Sequence, residues 1–331
     1  MTGAVDRDGR STVLFIGGCG RSGSTLLDRM LGQLPGFCSV GELRFIWRRA
    51  LAGNQLCGCG VAFADCPFWT EVGREAFGGW DTIDLEEVLH LQRALDRHRF
   101  IPLLLFPSGR ESFQTDLERY ESILGDLYRG IAKVSGASVI VDSTKDAPYA
   151  YLLRRCPKID LRIVHLVRDS RGVAFSWTKH VSTPEIEGGR VQFMGRYSPV
   201  EMGARWVVFN LLFHLLSRLS VPTLFTRYER LVEAPRLELE RIFEHVGSEV
   251  DERALGFVRD GEVELRADHT VSGNPMRFRN GAVPLTRDEE WRTNMSRGNQ
   301  LLVSALTWPL LLRYGYLRRE AEGELESLEP A

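Results

Sequence analysis

The chain is poor in lysine, in net positive charge and in long apolar runs, and each shortage argues against a class of function. Lysine occupies four of 331 positions although lysine and arginine together number 42, and the formal net charge is −2. Because nucleic-acid binding needs a basic face, nucleic acid is not expected as a partner. The apolar runs at 206–216 and 301–312 are too short to cross a bilayer. The first ten residues lack the apolar core of a secretory signal, so we expect a cytoplasmic protein.

A lysine is also missing from the first glycine-rich loop. An apolar run at 12–16 leads into this loop, and Ser24 stands where G-x-x-x-x-G-K-[ST] requires the lysine. Glycines let backbone N–H groups converge on an anion, the following helix adds its positive end, and Arg21 adds a guanidinium. The loop therefore predicts a phosphate site for a nucleotide other than a magnesium-bound triphosphate. The candidate ligands are Gly20, Arg21, Ser22, Gly23, Ser24, Thr25 and Leu26.

Three of the six cysteines are clustered, and no histidine lies near them along the chain. Cys57 and Cys59 form a C-x-C pair, tighter than the C-x₂₋₄-C spacing of most zinc sites, and Cys66 follows. Reduced structural thiols, a disulfide from Cys57 or Cys59 to Cys66, and a metal site are three open interpretations. Cytosolic redox conditions favour the first. We expect no metal site, and turnover should survive chelation of divalent ions.

Apolar strands and amphipathic helices alternate along the chain, which is typical of a doubly wound α/β fold. The expected strands lie at 12–16, 37–40, 139–141, 161–167 and 222–226, and the expected helices at 26–34, 200–220 and 235–246. Residues 45–135 are irregular and helical, with amphipathic stretches at 85–105 and 113–134, and we interpret them as a helical lid inserted over the site. We therefore expect a single domain over 1–331, with a P-loop-like parallel sheet flanked by helices.

Two further segments are candidate anion sites. Arg168 lies at the carboxyl end of an expected strand and Ser176 two helical turns later, so both can point across the first loop toward a second phosphate. The alternative is an arginine at a sheet edge and a serine in solvent. The segment from 269 to 292 lacks periodicity and is expected to close on a bound anion. Its candidate ligands are Arg277, Arg279, Asn280 and Gly281.

Together these segments resemble the sulfotransferases that use 3′-phosphoadenosine-5′-phosphosulfate (PAPS). The resemblance extends from 12 to about 295 and rests on the first loop, V-R-D-x₆-S-W at 167–177, T-R-Y-E-R-L at 226–231 and R-N-G at 279–281. It implies that the first loop holds the 5′-phosphosulfate, that Arg168 and Ser176 hold the 3′-phosphate, and that Tyr228 lies near the adenine. The last motif departs from the family's Arg-Lys-Gly because Asn280 replaces the lysine, for which Arg277 or Arg279 could compensate.

The loop is most similar to the tyrosylprotein and bacterial small-molecule branches of that family. This similarity implies Glu42 as the general base and Lys145 as the cation that stabilises the sulfonate, with Arg21 balancing charge on the leaving phosphate. His269 is the rival base. The structural alternatives are a glutamate that caps a helix, a lysine on the surface and a histidine that only packs.

We therefore expect a PAPS-dependent sulfotransferase that moves a sulfonate group onto a hydroxyl acceptor by in-line transfer. The acceptor, whether a small molecule, a glycan, a lipid or a peptide, is left open by the sequence, and so is the oligomeric state. Two other classes stay open. One is a P-loop small-molecule kinase, for which Asp142 ends an apolar strand, and the other is a noncatalytic nucleotide-binding regulator.

Overall fold

The computed structural model describes residues 9–106, 111–186, 190–248 and 252–317. The strands in these residues are β1 (Ser11–Gly17), β2 (Phe37–Gly41), β3 (Val139–Lys145), β4 (Ile159–Val167), β5 (Ser182–Ile186), β6 (Arg190–Phe193), β7 (Thr223–Arg227), β8 (Val258–Arg259), β9 (Glu262–Leu265) and β10 (Gly281–Pro284). The α-helices are α1 (Ser24–Leu31), α2 (Pro67–Phe77), α3 (Leu85–Leu95), α4 (Ile101–Leu105), α5 (Glu111–Ser135), α6 (Ala147–Arg155), α7 (Ser170–Ser176), α8 (Pro199–Arg218), α9 (Tyr228–Glu233), α10 (Pro235–Val246), α11 (Trp291–Asn294) and α12 (Arg297–Arg313).

Five parallel strands form the central sheet, in the order β2-β3-β1-β4-β7. Alternate side chains of β1 enter different cores, as the pleat requires: Val13 and Phe15 lie in one buried cluster, and Leu14 and Ile16 in another. Residues of α5, α6 and α8 cover the first face, whereas α1 and α10 cover the second. The predicted doubly wound, P-loop-like parallel sheet flanked by helices is therefore confirmed.

The insertion shares its core with one face of the sheet. Trp47 and Trp69 of the insertion, Tyr120 on α5 and Phe15 of β1 belong to a single buried cluster. The long helix α5 packs against α2 and α3 and also against β1 and β3. The insertion is thus anchored on the sheet by apolar burial, and α5 serves as one of the flanking helices.

Several elements differ from the sequence prediction. The amphipathic stretch expected at 85–105 is divided between α3, which ends at Leu95, and α4. The residue after α3, Asp96, is buried and accepts a hydrogen bond from Arg44 Nε at 2.5 Å. The hairpin β5–β6, the antiparallel sheet β10-β9-β8 and helix α12 were not predicted. These pieces are short or have no clear periodicity, and they gain their order from contacts with the main layers. Within the described ranges, no helix combines the length and the hydropathy needed to cross a membrane.

Candidate active site

The glycine-rich loop between β1 and α1 adopts backbone conformations that its glycines permit. Gly18 has a φ of 137°, and a Cβ there would lie 2.3 Å from the carbonyl oxygen of Leu166. Gly23 has a φ of 87°, and a Cβ there would lie 2.6 Å from the ring of Tyr228. The loop therefore packs closely against β4 and the start of α9. Helix α1 begins at the end of the loop, and no capping side chain accepts hydrogen bonds from the N–H groups of its first turn.

All five strands of the central sheet end beside a residue that the sequence singled out. The glycine-rich loop follows β1, Glu42 follows β2, and Lys145 is the last residue of β3. Arg168 follows β4 and Tyr228 follows β7. Because the strands are parallel, their carboxyl ends meet at one edge, which is where open α/β sheets bind their ligands.

A cleft of about 880 Å³ lies at this edge. The predicted site residues that line it are Gly20, Arg21, Gly23, Ser24, Thr25, Leu26, Glu42, Lys145, Arg168, Ser176, Tyr228, Arg277 and Arg279. Four predicted residues are not part of its lining: Ser22, His269, Asn280 and Gly281. The structure thus brings together the two proposed anion sites and the proposed base, but it leaves the rival base outside.

Glu42 and Lys145 form an ion pair on the floor of the cleft. The Lys145 ammonium also donates to the carbonyl oxygen of Ser143 at 2.9 Å, and both paired side chains are mostly buried. Gly41 positions the carboxylate: its φ is 73°, and a Cβ there would lie 2.6 Å from the carbonyl oxygen of Val271. Glu42 is therefore held by its backbone and paired with a cation, which agrees with neither a helix-capping glutamate nor a surface lysine.

Arg21 lies in the left-handed region, with a φ of 72°, and its guanidinium enters the cleft. Its Cζ lies 5.1 Å from the centroid of the Trp177 ring, and its Nη2 contacts the sulfur of Met194 at 3.2 Å. Burial lowers the pKa of the guanidinium, an effect that the negative charge of Glu42 opposes. The Nε atom is buried and has no hydrogen-bond partner within the described residues. A buried cationic group with an unused donor fits an anion in the cleft.

Arg168 is buried between the loop and the segment after β10. Its guanidinium donates to the carbonyl oxygen of Arg21 at 3.2 Å and to that of Asp288 at 2.7 Å. It also pairs with the Asp288 carboxylate at 3.0 Å and lies 4.8 Å from the centroid of the Tyr228 ring. Burial raises the pKa of Asp288, but the positive charge of Arg168 and its hydrogen bond outweigh this effect, so the pKa of Asp288 is lowered. Arg168 therefore faces the cleft with one carboxylate already as its partner.

The segment at 269–281 is organised by an arginine that the sequence reading missed. Arg29, fully buried on α1, donates to Asp268 at 3.1 Å, to Asn280 Oδ1 at 3.0 Å and to the carbonyl oxygens of Arg266 and Met276 at 2.6 and 3.1 Å. It also donates to the carbonyl oxygen of Arg279. Asn280 therefore ties its loop to α1, although a lysine was expected there from the resemblance. An arginine inside an apolar helix stripe was the only sequence signal for this contact.

Arg277 also donates hydrogen bonds to backbone carbonyl groups. Its guanidinium, which is mostly buried, donates to the carbonyl oxygens of Thr270 at 2.7 Å and Leu56 at 2.5 Å. Burial lowers its pKa to about 10. Arg277 thus joins the segment at 269–292, hereafter the clamp segment, to the insertion, while Arg279 on the same segment lines the cleft. Their role as nucleotide ligands stays a prediction.

His269 lies away from the cleft, next to the cysteine cluster. Its Nδ1 is 3.4 Å from Cys66 Sγ and 3.7 Å from Cys57 Sγ, and its ring stacks on Phe68 at 4.7 Å. Burial lowers the pKa of the imidazole. His269 does not line the cleft, whereas Glu42 does, so Glu42 is the better placed of the two candidate bases.

Asp142, the carboxylate that kept a kinase open, does not line the cleft. It is fully buried, accepting from the Tyr128 hydroxyl at 2.5 Å and the Thr144 N–H at 2.8 Å. Burial raises its pKa to about 6. A carboxylate enclosed by these donors is poorly placed to hold the magnesium ion of a kinase.

One wall of the cleft is lined by residues outside the predicted motifs. Arg205, on α8, packs over the Tyr197 ring at 4.4 Å, and Arg49 donates to the Ser272 hydroxyl at 2.6 Å. Phe45 lies under the Arg49 guanidinium at 4.2 Å. This wall combines cationic and aromatic side chains.

The chain is similar to known sulfotransferases. Residues 14–58 match the model of the sulfotransferase family. The sulfotransferase domain of the olefin synthase from Synechococcus PCC 7002 is 22% identical, with a TM-score of 0.50 over 92% of this chain and 96% of that one. The sulfotransferase domain of the curacin biosynthetic pathway is 17% identical, with a TM-score of 0.45 over 89% and 97%. Retinol dehydratase, solved with retinol and PAP, is 15% identical, with a TM-score of 0.37 over 91% and 82%.

No curated protein sequence matches this chain. The predicted resemblance to sulfotransferases is nevertheless confirmed by the family match, which begins at Leu14 within β1 and includes the glycine-rich loop and Glu42. At 22% identity and a TM-score of 0.50, the olefin synthase domain shows a shared fold. The family match and the fold together support a sulfotransferase.

Proposed function

We propose that the protein transfers the sulfonate group of PAPS to a hydroxyl acceptor, with Glu42 as the general base. The observation that carries this proposal is the Glu42–Lys145 ion pair, which lines the same cleft as the glycine-rich loop and Arg168. A proton acceptor, a cation and two anion sites then share one enclosure. Sulfuryl transfer needs these groups because it proceeds in line, with charge moving onto the leaving phosphate.

The residues fit a nucleotide that carries phosphate at both ends of its ribose. Arg21 supplies a buried Nε donor with no partner among the described residues, next to the N-terminus of α1. Because Gly20 has no side chain, the Trp177 ring can approach the loop closely; a Cβ on Gly20 would lie 2.9 Å from that ring. Arg168 and Ser176 line the second position, and Tyr228 lies beside Arg168. A 5′-phosphosulfate bound at the loop and a 3′-phosphate bound at Arg168 would occupy both anion positions.

When bound, PAPS supplies the sulfonate, whose S–O bond to the 5′-phosphate breaks as a bond to the acceptor oxygen forms. Glu42 takes the proton of the acceptor hydroxyl on a carboxylate oxygen. Lys145 releases part of its contact with Glu42 and stabilises negative charge near the bridging oxygen. Arg21 holds the 5′-phosphate. The position of each side chain in the cleft and its charge support the role proposed for it.

The decisive variant is Glu42→Gln, which keeps the size of the side chain and removes the proton acceptor. We expect single-turnover transfer from saturating PAPS to fall by roughly 10²- to 10⁴-fold, whereas calorimetric affinity for 3′-phosphoadenosine-5′-phosphate (PAP) stays nearly unchanged. Glu86→Gln, on the exposed side of α3, is the matched control and should leave both quantities unchanged.

Intact-mass screening of small phenols, sugars, lipids and tyrosine peptides identifies the acceptor before the kinetics are measured. Normal turnover by Glu42→Gln would refute the base assignment. ATP with magnesium binding more tightly than PAP would instead favour the kinase. PAP binding without transfer to any acceptor class would favour a noncatalytic regulator.

A further inference from the structure

The insertion and the clamp segment meet at three cysteines and a histidine. The ligand atoms of Cys57, Cys59, Cys66 and His269 all lie within 4.8 Å of one another. The cysteines belong to the insertion, and the histidine lies more than 200 positions later, between β9 and β10. We propose that these four side chains bind a single Zn²⁺ ion as a structural site, separate from the cleft.

Four of the six distances between the ligand atoms match the edges of a zinc tetrahedron, and all six are within 4.8 Å. Zinc bonds of about 2.3 Å to sulfur and about 2.0–2.1 Å to nitrogen give tetrahedral edges of about 3.8 Å between two sulfurs and about 3.5 Å between sulfur and nitrogen. Cys66 Sγ lies 3.6 Å from Cys57 Sγ and 3.8 Å from Cys59 Sγ. His269 Nδ1 lies 3.4 Å from Cys66 Sγ and 3.7 Å from Cys57 Sγ. One ion at the centre can therefore reach all four ligands with little movement.

A disulfide fits the cluster less well. The sulfur atoms of a disulfide lie about 2.05 Å apart, much closer than the 3.6 and 3.8 Å found here, and all three cysteines are free thiols in the structure. Any disulfide would also use two of the three sulfurs and leave the third beside an imidazole. A metal ion uses all four groups.

The local backbone explains how the close C-x-C spacing presents both thiols. The Cys57 N–H donates to the carbonyl oxygen of Val61 at 2.8 Å, and the Gly60 N–H donates to that of Cys57 at 2.8 Å, which closes a tight turn. A Cβ on Gly58 would lie 2.4 Å from side-chain oxygens of both Asp268 and Thr270. A glycine between the cysteines thus lets the turn approach the segment that carries the histidine.

The chemistry of the four ligands selects the metal and its role. Three thiolates and an imidazole suit zinc, whereas magnesium and calcium require oxygen ligands. Four protein ligands complete a tetrahedron and leave no position for water or substrate, which is typical of structural zinc. The Phe68 ring, parallel to the imidazole within 8°, helps to fix the histidine with Nδ1 toward the sulfurs.

The site lies next to the backbone that positions the proposed base. Two residues after His269, the carbonyl oxygen of Val271 accepts from the Glu42 N–H at 2.8 Å, and the Val271 N–H donates to Val40 at 2.8 Å. The Gly58 N–H donates to the carbonyl oxygen of Thr270 at 2.9 Å. A bound ion would therefore fasten the insertion to the strand-like segment that runs beside Glu42.

The first experiment measures zinc in the full-length chain, purified under reducing conditions and dialysed after exposure to Zn²⁺ alone. We expect about one zinc per chain, and loss of that zinc in Cys59→Ser and His269→Ala. Cys38→Ser, at a free thiol outside the cluster, is the matched control and should keep the metal. Zinc-free wild-type protein, or an intact mass showing a disulfide within 57–66, would overturn the proposal.

A second measurement uses only the wild-type chain, so it tests the proposal even if the variants fail to fold. Co²⁺ replacing zinc should give thiolate-to-metal charge-transfer bands and the intense visible bands of tetrahedral cobalt. A weak octahedral spectrum without charge transfer would overturn the proposal. Neither measurement requires PAPS or turnover, so a failed zinc site leaves the proposed function intact, and a failed function leaves the zinc site intact.

Discussion

The glycine-rich loop and the clamp segment both face the cleft, but they are built in different ways. The loop comes from a short stretch between β1 and α1, and its shape follows from its own glycines. The clamp segment is held by Arg29 and Arg277, through contacts with residues more than 200 positions distant and with nearby backbone. A motif can therefore identify the loop, whereas the clamp exists only where the chain has already folded around it.

The largest effect is expected from removing the buried arginine, Arg29, that holds the clamp segment. Arg29→Met keeps the length of the side chain but leaves Asp268 and several carbonyl oxygens without their cation. Because the group is fully buried, we expect the free energy of unfolding to fall by about 3–5 kcal/mol. Denaturant unfolding measures this change, and amide hydrogen exchange should show the greatest loss of protection at 266–284.

Arg93→Met, on the exposed face of α3, is the control for this prediction and should unfold like the wild type. If Arg29→Met retained wild-type stability and wild-type protection at 266–284, the clamp would not depend on its buried arginine.

A smaller effect is expected at the strand end that faces the loop. Arg168→Ala should reduce the preference for PAP over AMP by about 1.5–3 kcal/mol, since one charged hydrogen-bonding group is removed from the 3′-phosphate. Asp288→Asn should move the preference in the opposite direction, because the Asp288 carboxylate pairs with the same guanidinium at 3.0 Å. Calorimetry with both nucleotides gives the ratio.

Arg154→Ala, at an exposed position near the end of α6, provides the comparison and should keep the wild-type ratio. An unchanged ratio in Arg168→Ala would place the 3′-phosphate elsewhere.

The smallest effect concerns a thiol within the loop itself. Burial raises the pKa of Cys19 to about 12, so only roughly one thiol in 10⁴ is ionised at pH 8. Alkylation of Cys19 should therefore be far slower than that of free cysteine, and its rate should rise about tenfold per pH unit below the pKa. Peptide mapping after timed iodoacetamide treatment measures the rate. Rapid labelling with a rate that levels off near pH 8.5, as for a free thiol, would show that the loop opens readily.

The site was predictable where a residue's position follows from the strand that precedes it. Arg168 could be assigned to the cleft because parallel strands end at a common edge, whereas Lys145 was named only from the family resemblance. Arg277 was predicted to hold an anion, yet its guanidinium donates to two backbone carbonyls. Charge alone does not tell whether an arginine binds a ligand or its own chain, because both offer oxygen acceptors.

The sequence by itself determined the alternation of strands and helices and the glycine-rich loop. It also determined that Ser24 replaces the lysine of the G-x-x-x-x-G-K-[ST] pattern. These features depend on periodicity and on backbone conformations that neighbouring residues impose. Only the tertiary structure decided that His269 joins the cysteines rather than the cleft, and that Arg29 gathers the clamp. Those contacts join segments far apart in sequence, and side-chain type does not encode which distant segment will complete a ligand set or satisfy a buried charge.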